Sequence, residues 1–271
     1  MRITNRDILL TTSAILLVAA LLAGCLSLSP KTGFNFELKR NRAPSDAFVL
    51  VEVVQELQPT DCVTKNKDID CNELLKELPV VTTRGSGSGM MVMSDMGPGI
   101  LTAAHVCEKD TPDTFKHGPV EVTILTVIKI RVHSPVHGTF NAEVLRSDRE
   151  TDLCFLRPSK IFTHPVPLAS SPPQMGDKVY TIAAPFGISG KNLSLIFNGF
   201  FSGTRGNDRF YTIPTRPGSS GAAVLNENWE VIGVLHTAFR DLESVGLGTG
   251  LEAVRSFLYS PIEVEVIEPT F

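Results

Sequence analysis

The sequence predicts an all-β fold, and three observations support this class. Short apolar, β-branched segments recur along the chain, and turn signals rich in Gly, Pro, Asn and Asp separate them. The 271 residues include 21 glycines and 18 prolines, as expected of a chain with many turns. Only one segment, Glu252–Leu258, has a clear helical pattern, and it ends shortly before Pro261.

The predicted strands extend through most of the chain after residue 46. Glycines and polar turns bound each apolar run, and this spacing is typical of a β-sandwich or a pair of barrels. The strands are Ala47–Leu57, Met90–Met93, Gly99–Ala104, Val120–Val132, Thr139–Leu145, Leu153–Leu156, Lys178–Ala184, Leu193–Ser202, Phe210–Ile213, Ala222–Leu225, Val231–His236 and Gly246–Leu251.

The N-terminus has the pattern of a secretory signal peptide. Two arginines within the first six residues precede an uncharged apolar run, Ile8–Ala23, which is short for a membrane-spanning helix of about 20 residues. The segment Leu22–Cys25 (LAGC) resembles the lipobox of bacterial lipoproteins, which implies that Cys25 carries acyl chains such as palmitate. Leu26 stands where an Asp retains many lipoproteins in the inner membrane. The resemblance therefore implies a bacterial cell envelope, with an outer-membrane or periplasm-facing location if the cell is Gram-negative. An ordinary signal peptide or an uncleaved anchor is the alternative.

Five segments follow from these patterns. Residues 1–24 are the predicted signal peptide, 25–44 a tether, 45–260 the main domain and 261–271 a C-terminal tail. Within the domain, residues 58–80 are mostly polar and form a predicted insertion.

The cysteines are consistent with an exported protein. Four remain after Cys25, and four cysteines allow three pairings in an oxidising compartment. Cys62 and Cys71 flank a polar segment that a disulfide would close into a small loop. Cys107 and Cys154 either form a second bridge or remain small core thiols. No CxxC pair occurs, so we predict no zinc site, no other metal and no cofactor.

The charge distribution argues against one class of partner. The formal net charge is −4, and the sequence has no cluster of Lys and Arg. Proteins that bind nucleic acid usually carry such a cluster to contact the phosphates. We therefore expect no nucleic-acid partner.

One loop raises the question of nucleophilic catalysis. In Thr215–Leu225 (TRPGSSGAAVL), two serines lie between glycines and before an apolar strand. A serine hydroxyl becomes a nucleophile only with a base to accept its proton and a carboxylate to orient that base. Among six histidines, His105 is distinctive because it ends an apolar strand of small residues. Asp152 opens another apolar segment, whereas Asp148 lies in a polar turn and is the weaker candidate.

The order His105, Asp152, Ser220 resembles that of the chymotrypsin-fold serine peptidases. TAAHVC, TDLCFL and PGSSGAAV are similar to the three catalytic motifs of that family. GDKVYTIAAPFGISG, FNGFFSGTR and GLGTGLEAVRSFL are similar to the HtrA-type branch. The resemblance implies two six-stranded antiparallel β-barrels and a catalytic triad in the cleft between them. It also implies an oxyanion hole made by the N–H groups of Gly218 and Ser220.

Specificity is predicted from the same resemblance. The pocket for the P1 residue, on the N-terminal side of the cut bond, is expected to use Thr215, Leu235 and Gly246–Gly250. A small aliphatic P1 residue is expected, since no acid stands where trypsin-like enzymes hold basic residues. An acidic P1 bound by His236 and Thr215 is the alternative, although His236 is one position later than the histidine of glutamate-selective relatives.

The predicted function is peptide-bond hydrolysis by a membrane-anchored serine endopeptidase acting through an acyl-enzyme. Its expected partners are protein or peptide substrates and a membrane reached by the lipid anchor. The alternative is a catalytically silent binding or scaffold lipoprotein on the same fold. Ser219 stands where zymogen-derived relatives have a buried Asp, so we expect no activating cut. Only PIEVEVIEPTF follows the last helix, so no PDZ domain is expected.

Overall fold

The computed structural model describes residues 42–66, 69–108, 113–239 and 242–260. The predicted signal peptide, Cys25, most of the tether and the tail from residue 261 lie outside the described residues. In the part of the chain that is described, no helix combines the length and apolar character needed to cross a membrane.

The N-terminal half forms an antiparallel sheet that closes on itself. Its strands are β1 (Phe48–Thr64), β2 (Val81–Ser94), β3 (Gly97–Thr102), β4 (Thr114–His117), β5 (Val120–Ser134), β6 (Gly138–Asp148) and β7 (Leu153–Pro158). β1 pairs along one edge with β2 and along the other with β5, so the order β1-β2-β3-β7-β6-β5 returns to its start. The short strand β4 adds to the outer edge of β5.

The C-terminal half forms a closed six-stranded barrel. Its strands are β8 (Lys178–Ala183), β9 (Leu195–Arg205), β10 (Asp208–Tyr211), β11 (Ala223–Leu225), β12 (Val231–Phe239) and β13 (Leu242–Gly250). They follow one another around the barrel in the order β10-β13-β12-β11-β8-β9. The predicted all-β class is therefore confirmed, and all strand pairs within these sheets are antiparallel.

The C-terminal helix is also confirmed, with slightly wider bounds, as Leu251–Tyr259 (α3). Its apolar residues Val254 and Leu258 are fully buried in the larger core, which fills the first barrel and continues to β8, β11 and β12 of the C-terminal barrel. A second core, which includes Tyr211 and Val224, fills the C-terminal barrel. Because α3 follows the last strand of one barrel and packs on the other, it fixes the two relative to each other.

The first strand extends further than the predicted Ala47–Leu57. β1 continues past Leu57 because β5 supplies a partner for it as far as the pair Thr64 and Val120. A short helix, Cys71–Glu77 (α1), follows and was not predicted, since it has no buried residue and hence no apolar period. Asp70 begins it by accepting a hydrogen bond from the N–H of Asn72 (2.8 Å).

Both pairs of cysteines form disulfides. Cys62 bonds to Cys71, which ties α1 to the end of β1. Cys107 bonds to Cys154, so the bridged alternative is the one found. Among the described residues, no three His, Cys, Asp or Glu side chains cluster as metal ligands would.

Candidate active site

The serine loop lies against the first barrel. The N–H of Gly221 donates to the Leu235 carbonyl (2.7 Å). A Cβ at Gly221 would lie 2.1 Å from Thr102 Oγ1 and 2.8 Å from the nitrogen of Ala103, and its φ is +84°. Only glycine fits such an approach with this backbone conformation. Ser220 is thereby held beside the segment that leads into His105.

His105 and Asp152 make a two-point contact. His105 lies on a one-turn helix, Ala104–Cys107 (α2), directly after β3. Its main-chain N–H donates to Asp152 Oδ1 (2.9 Å), and its ring Nδ1 lies 2.7 Å from Asp152 Oδ2. A carboxylate can only accept, so Nδ1 carries the proton and Nε2 is left as the basic nitrogen. The sequence prediction that these two residues meet is supported by this geometry.

Asp152 occupies an unusual conformation. Its φ is +53°, in the left-handed region that costs a non-glycine residue about 1–3 kcal/mol and that occurs often at functional sites. Burial raises the pKa of its carboxyl group, but the hydrogen bonds from the His105 ring and N–H outweigh burial. The net pKa lies below the ordinary value, so Asp152 is ionised at neutral pH.

Nearby features hold this pair in place. The disulfide between Cys107 and Cys154 joins α2 to β7 two residues beyond each member of the pair. Asp148, the weaker candidate, accepts hydrogen bonds from the N–H of Glu150 (2.9 Å) and from Thr151 Oγ1 (2.7 Å). Asp148 therefore shapes the turn before Asp152, and both of these hydrogen bonds lie within that turn.

The Ser220 hydroxyl makes no hydrogen bond to His105 in this structure. Its Oγ donates to the carbonyl oxygen of His236 (3.1 Å) on β12. Two of the three predicted catalytic side chains are therefore in direct contact. The third lies on a loop packed against the segment that precedes His105.

The two predicted oxyanion donors remain available. Among the hydrogen bonds of the described residues, none uses the N–H of Gly218 or Ser220. Gly218 has φ +96°, and a Cβ there would lie 2.4 Å from the carbonyl oxygen of Ala184. The adjacent Pro217 carbonyl accepts from the N–H of Phe186 (2.6 Å). These contacts turn the carbonyls of the loop into the protein and leave its N–H groups for a ligand.

Ser88 is a residue of this site that sequence reasoning missed. It is fully buried, and its N–H donates to the carbonyl of Ser220 (2.7 Å). Its Oγ donates to the carbonyl of Gly218 (2.8 Å) and accepts from the N–H of Ala184 (2.9 Å). Its own carbonyl accepts from Thr102 Oγ1 (2.7 Å). Ser88 thus joins both barrels to the serine loop.

The sequence feature that could have revealed Ser88 is the run GSGSG, residues 85–89. Its glycines suggest a turn, but they lie within β2 and permit close approach. A Cβ at Gly87 would lie 2.9 Å from the Ser220 carbonyl and 2.6 Å from a Val106 methyl. Repeated glycines inside a strand indicate such contacts, which could have drawn attention to the serine between them.

Ser88→Ala is expected to lower kcat about ten- to a hundredfold with little change in KM, because the loop that carries the oxyanion donors loses its anchor. The matched control is Thr181→Val, which removes another buried hydroxyl that donates to a main-chain carbonyl, that of Ala223 (2.8 Å). Both variants should lose a similar free energy of unfolding, about 1–3 kcal/mol. Equal effects on kcat would contradict a positioning role for Ser88.

Three of the predicted pocket residues, Thr215, Leu235 and Gly246, lie together, whereas the side chain of His236 lies elsewhere. A Cβ at Gly246 would lie 2.4 Å from Thr215 Oγ1 and 3.1 Å from Leu235 Cδ2, so these three residues form one cluster. Thr215 and Leu235 are buried. The side chain of His236, one step along β12, instead has its Nε2 3.8 Å from Asp208 Oδ1.

His236 adds to the electrostatics behind the site. Burial lowers the pKa of its imidazole, although the negative charges of Asp152 and Asp208 act in the opposite direction. The ring is therefore neutral at pH 7. A neutral ring neither competes with His105 for the charge of Asp152 nor supplies a cation to an acidic substrate.

These features together define a class of protein. Two antiparallel barrels, with a His–Asp pair and a glycine-flanked serine loop where they meet, are the architecture of the trypsin-like fold. The chain belongs to the family of trypsin-like peptidase domains, because residues 87–234, more than half of its length, match that family. The fold and the family support a serine peptidase, that is, a hydrolase.

Solved structures agree with the fold. The serine endoprotease from Yersinia pestis is similar at 22% identity with a TM-score of 0.51, over 78% of this chain and 60% of that one. The Rv3671c protease from M. tuberculosis in its active form is similar at 16% identity with a TM-score of 0.52, over 79% and 81% of the two chains. At these identities the likeness shows the fold alone. No curated protein matches the chain in sequence.

Proposed function

We propose that this protein is a serine endopeptidase in which Ser220 is the nucleophile, His105 the general base and Asp152 the carboxylate that orients it. The observation that carries the proposal is the two-point contact between His105 and Asp152, at 2.9 and 2.7 Å, beside the serine loop. A bond from Nδ1 to an ionised carboxylate selects the tautomer whose Nε2 accepts a proton.

The proposed reaction begins with the Ser220 hydroxyl. A substrate N–H replaces this hydroxyl at the His236 carbonyl, and rotation about χ1 turns Oγ toward Nε2 of His105. As Oγ attacks the substrate carbonyl carbon, its proton passes to Nε2 and the C=O electron pair moves onto oxygen. The N–H groups of Gly218 and Ser220 stabilise that oxyanion, and each such donor is typically worth about a hundredfold or more in rate.

The second half completes hydrolysis. His105 returns its proton to the leaving amine as the C–N bond breaks, which leaves an acyl-enzyme on Ser220. Water then attacks the ester carbonyl carbon while His105 accepts a proton from it. The ester C–O bond breaks as His105 returns that proton to Ser220 Oγ, which releases the acid product. Asp152 stays ionised throughout and stabilises the imidazolium that forms at both steps.

The cluster of Thr215, Leu235 and Gly246 supports a small aliphatic P1 residue. It contains no charged side chain, and the Leu235 side chain and Thr215 hydroxyl occupy the space beside Gly246. An acidic P1 is less well supported, because the His236 ring faces Asp208 rather than this cluster.

We also propose that the enzyme acts in a bacterial cell envelope, anchored through lipidated Cys25. The support is the sequence pattern of an arginine-containing start, an apolar run and LAGC. Acyl chains would supply the membrane affinity, since the net charge is negative.

Two measurements on the same purified protein, probe labelling and cleavage profiling, test these proposals. The purified mature protein is treated with a fluorophosphonate probe, digested and mapped by mass spectrometry, and a peptide library is used to profile cleavage. We expect an adduct on Ser220, diacylglycerol and acyl mass on an N-terminal Cys25, and small aliphatic residues at P1. A folded protein that takes up no probe and cuts no peptide would instead support the silent scaffold.

A further inference from the structure

An apolar cavity of about 680 Å³ lies beside the insertion, outside the candidate active site. Helix α1 contributes to its wall, together with the extended ends of β1 and β5, the start of β2 and strand β4. The lining includes no Asp, Glu, Lys or Arg. Its principal apolar side chains are Leu57, Leu74, Leu78, Val81, Phe115 and Val122.

Helix α1, held by a disulfide, borders the cavity, and among the described residues no side chains pack together to fill it. Helix α1 buries none of its residues, although Leu74 lies on the cavity wall. The disulfide between Cys62 and Cys71 fixes the helix to the end of β1. Val81 and Phe115 remain 49% and 58% exposed at the cavity. A concave surface lined mostly by apolar side chains is typical of a ligand-binding site.

Strand β2 connects the cavity directly to the serine loop. Thr83 lines the cavity, and Gly87 abuts the Ser220 carbonyl. Both residues lie on the same face of β2, because side chains alternate along a strand. Thr83 and Gly87 are four positions apart, which corresponds to about 14 Å along a strand. An extended peptide covers the same distance with about four residues.

We propose that this cavity binds an apolar segment of the polypeptide substrate, about four residues from the peptide bond that is cut. The proposal rests on the proposed peptidase function and adds a second recognition site to it. The lack of charged lining side chains favours Leu, Ile, Val or Phe in that segment. The volume falls within the range of about 300–1,000 Å³ typical of ligand pockets. Such a site would favour unfolded polypeptides, whose apolar residues are accessible.

The test compares two fluorogenic peptides that share the residues around the cut bond. The short peptide has two residues on either side, and the long peptide continues on both sides with Leu and Phe beyond the third position. Phe115→Glu places a charge at the cavity. Leu125→Glu is the matched control, since Leu125 is 51% exposed but follows Ile124, a lining residue, and so lies on the other face of β5.

Phe115→Glu is expected to raise KM and lower kcat/KM about tenfold for the long peptide, and to leave the short peptide unaffected. Leu125→Glu should change neither. Equal kinetics of Phe115→Glu and wild type on the long peptide would overturn the proposed cavity site, as would an equal loss on both peptides.

Fluorescence anisotropy gives a second readout. It compares how tightly the labelled long peptide binds to the Ser220→Ala variant and to the double variant that also carries Phe115→Glu. If wild type cuts neither peptide, the peptidase function is wrong, and the anisotropy still decides whether the cavity binds the apolar segment. Tight binding that Phe115→Glu does not weaken would place the segment elsewhere.

Discussion

Ser220→Ala is expected to lower kcat for protein and peptide hydrolysis by about 10⁵-fold or more. The substitution removes the atom that forms the acyl-enzyme, and nothing else at the site can replace it. The hydroxyl donates one hydrogen bond in the structure, to the His236 carbonyl, so little stability depends on it. Cleavage of casein and fluorophosphonate labelling measure the loss.

The neighbouring serine supplies the control for this experiment. Ser219 is buried, its N–H donates to the Arg216 carbonyl (2.8 Å), and its Oγ is only a distant acceptor for the Arg216 N–H (3.4 Å). Ser219→Ala should therefore keep activity within a fewfold of wild type. If Ser220→Ala still cleaved casein and Ser219→Ala did not, the nucleophile would be Ser219, and its assignment to Ser220 would be wrong.

Asp152→Asn is expected to lower kcat by about 10⁴-fold while leaving the fold intact. An amide can still accept from the His105 N–H, but its NH₂ favours the wrong imidazole tautomer and no longer stabilises the imidazolium. Asp148→Asn is the control, because that carboxylate only accepts hydrogen bonds within its own turn. A loss in the control as large as in Asp152→Asn would point to turn geometry rather than charge.

The same substitution has a signature in the pH dependence of stability. The folded-state pKa of Asp152 lies below its ordinary value of 3.8, so the ionised form stabilises the folded protein at neutral pH. That contribution is lost as the pH falls from above 3.8 through the folded pKa. Urea unfolding should therefore show a difference between wild type and Asp152→Asn at pH 7 that shrinks toward the acid end. If the difference in the free energy of unfolding did not change with pH, it would contradict the conclusion that the charge of Asp152 stabilises the folded protein.

Much of the fold followed from local patterns. Alternating apolar segments with turns between them indicated an all-β protein, and the amphipathic period of Glu252–Leu258 located the last helix. His105 stood out because it ends one apolar segment, and Asp152 because it begins another. A partly buried carboxylate requires a partner, and the resemblance to the chymotrypsin-fold peptidases indicated that this partner is His105.

Other features depend on contacts between distant segments, and local patterns do not encode those. β1 extends to Thr64 only because β5 lies beside it, and α1 has no buried face that a periodicity could reveal. The four hydrogen bonds of Ser88 join it to segments up to 132 positions away along the chain (220 − 88). The choice of His236 as the acceptor for the Ser220 hydroxyl likewise follows from the register of β12.

The difference between the features that local patterns predicted and those that they did not has a simple physical basis. Backbone propensity and side-chain alternation act over a few residues, so they determined which segments became strands, which became turns and which polar residues were costly to bury. The distances that make a site, and the apolar cavity about four residues from the serine loop, arise only when the barrels close and bring the ends of remote strands together.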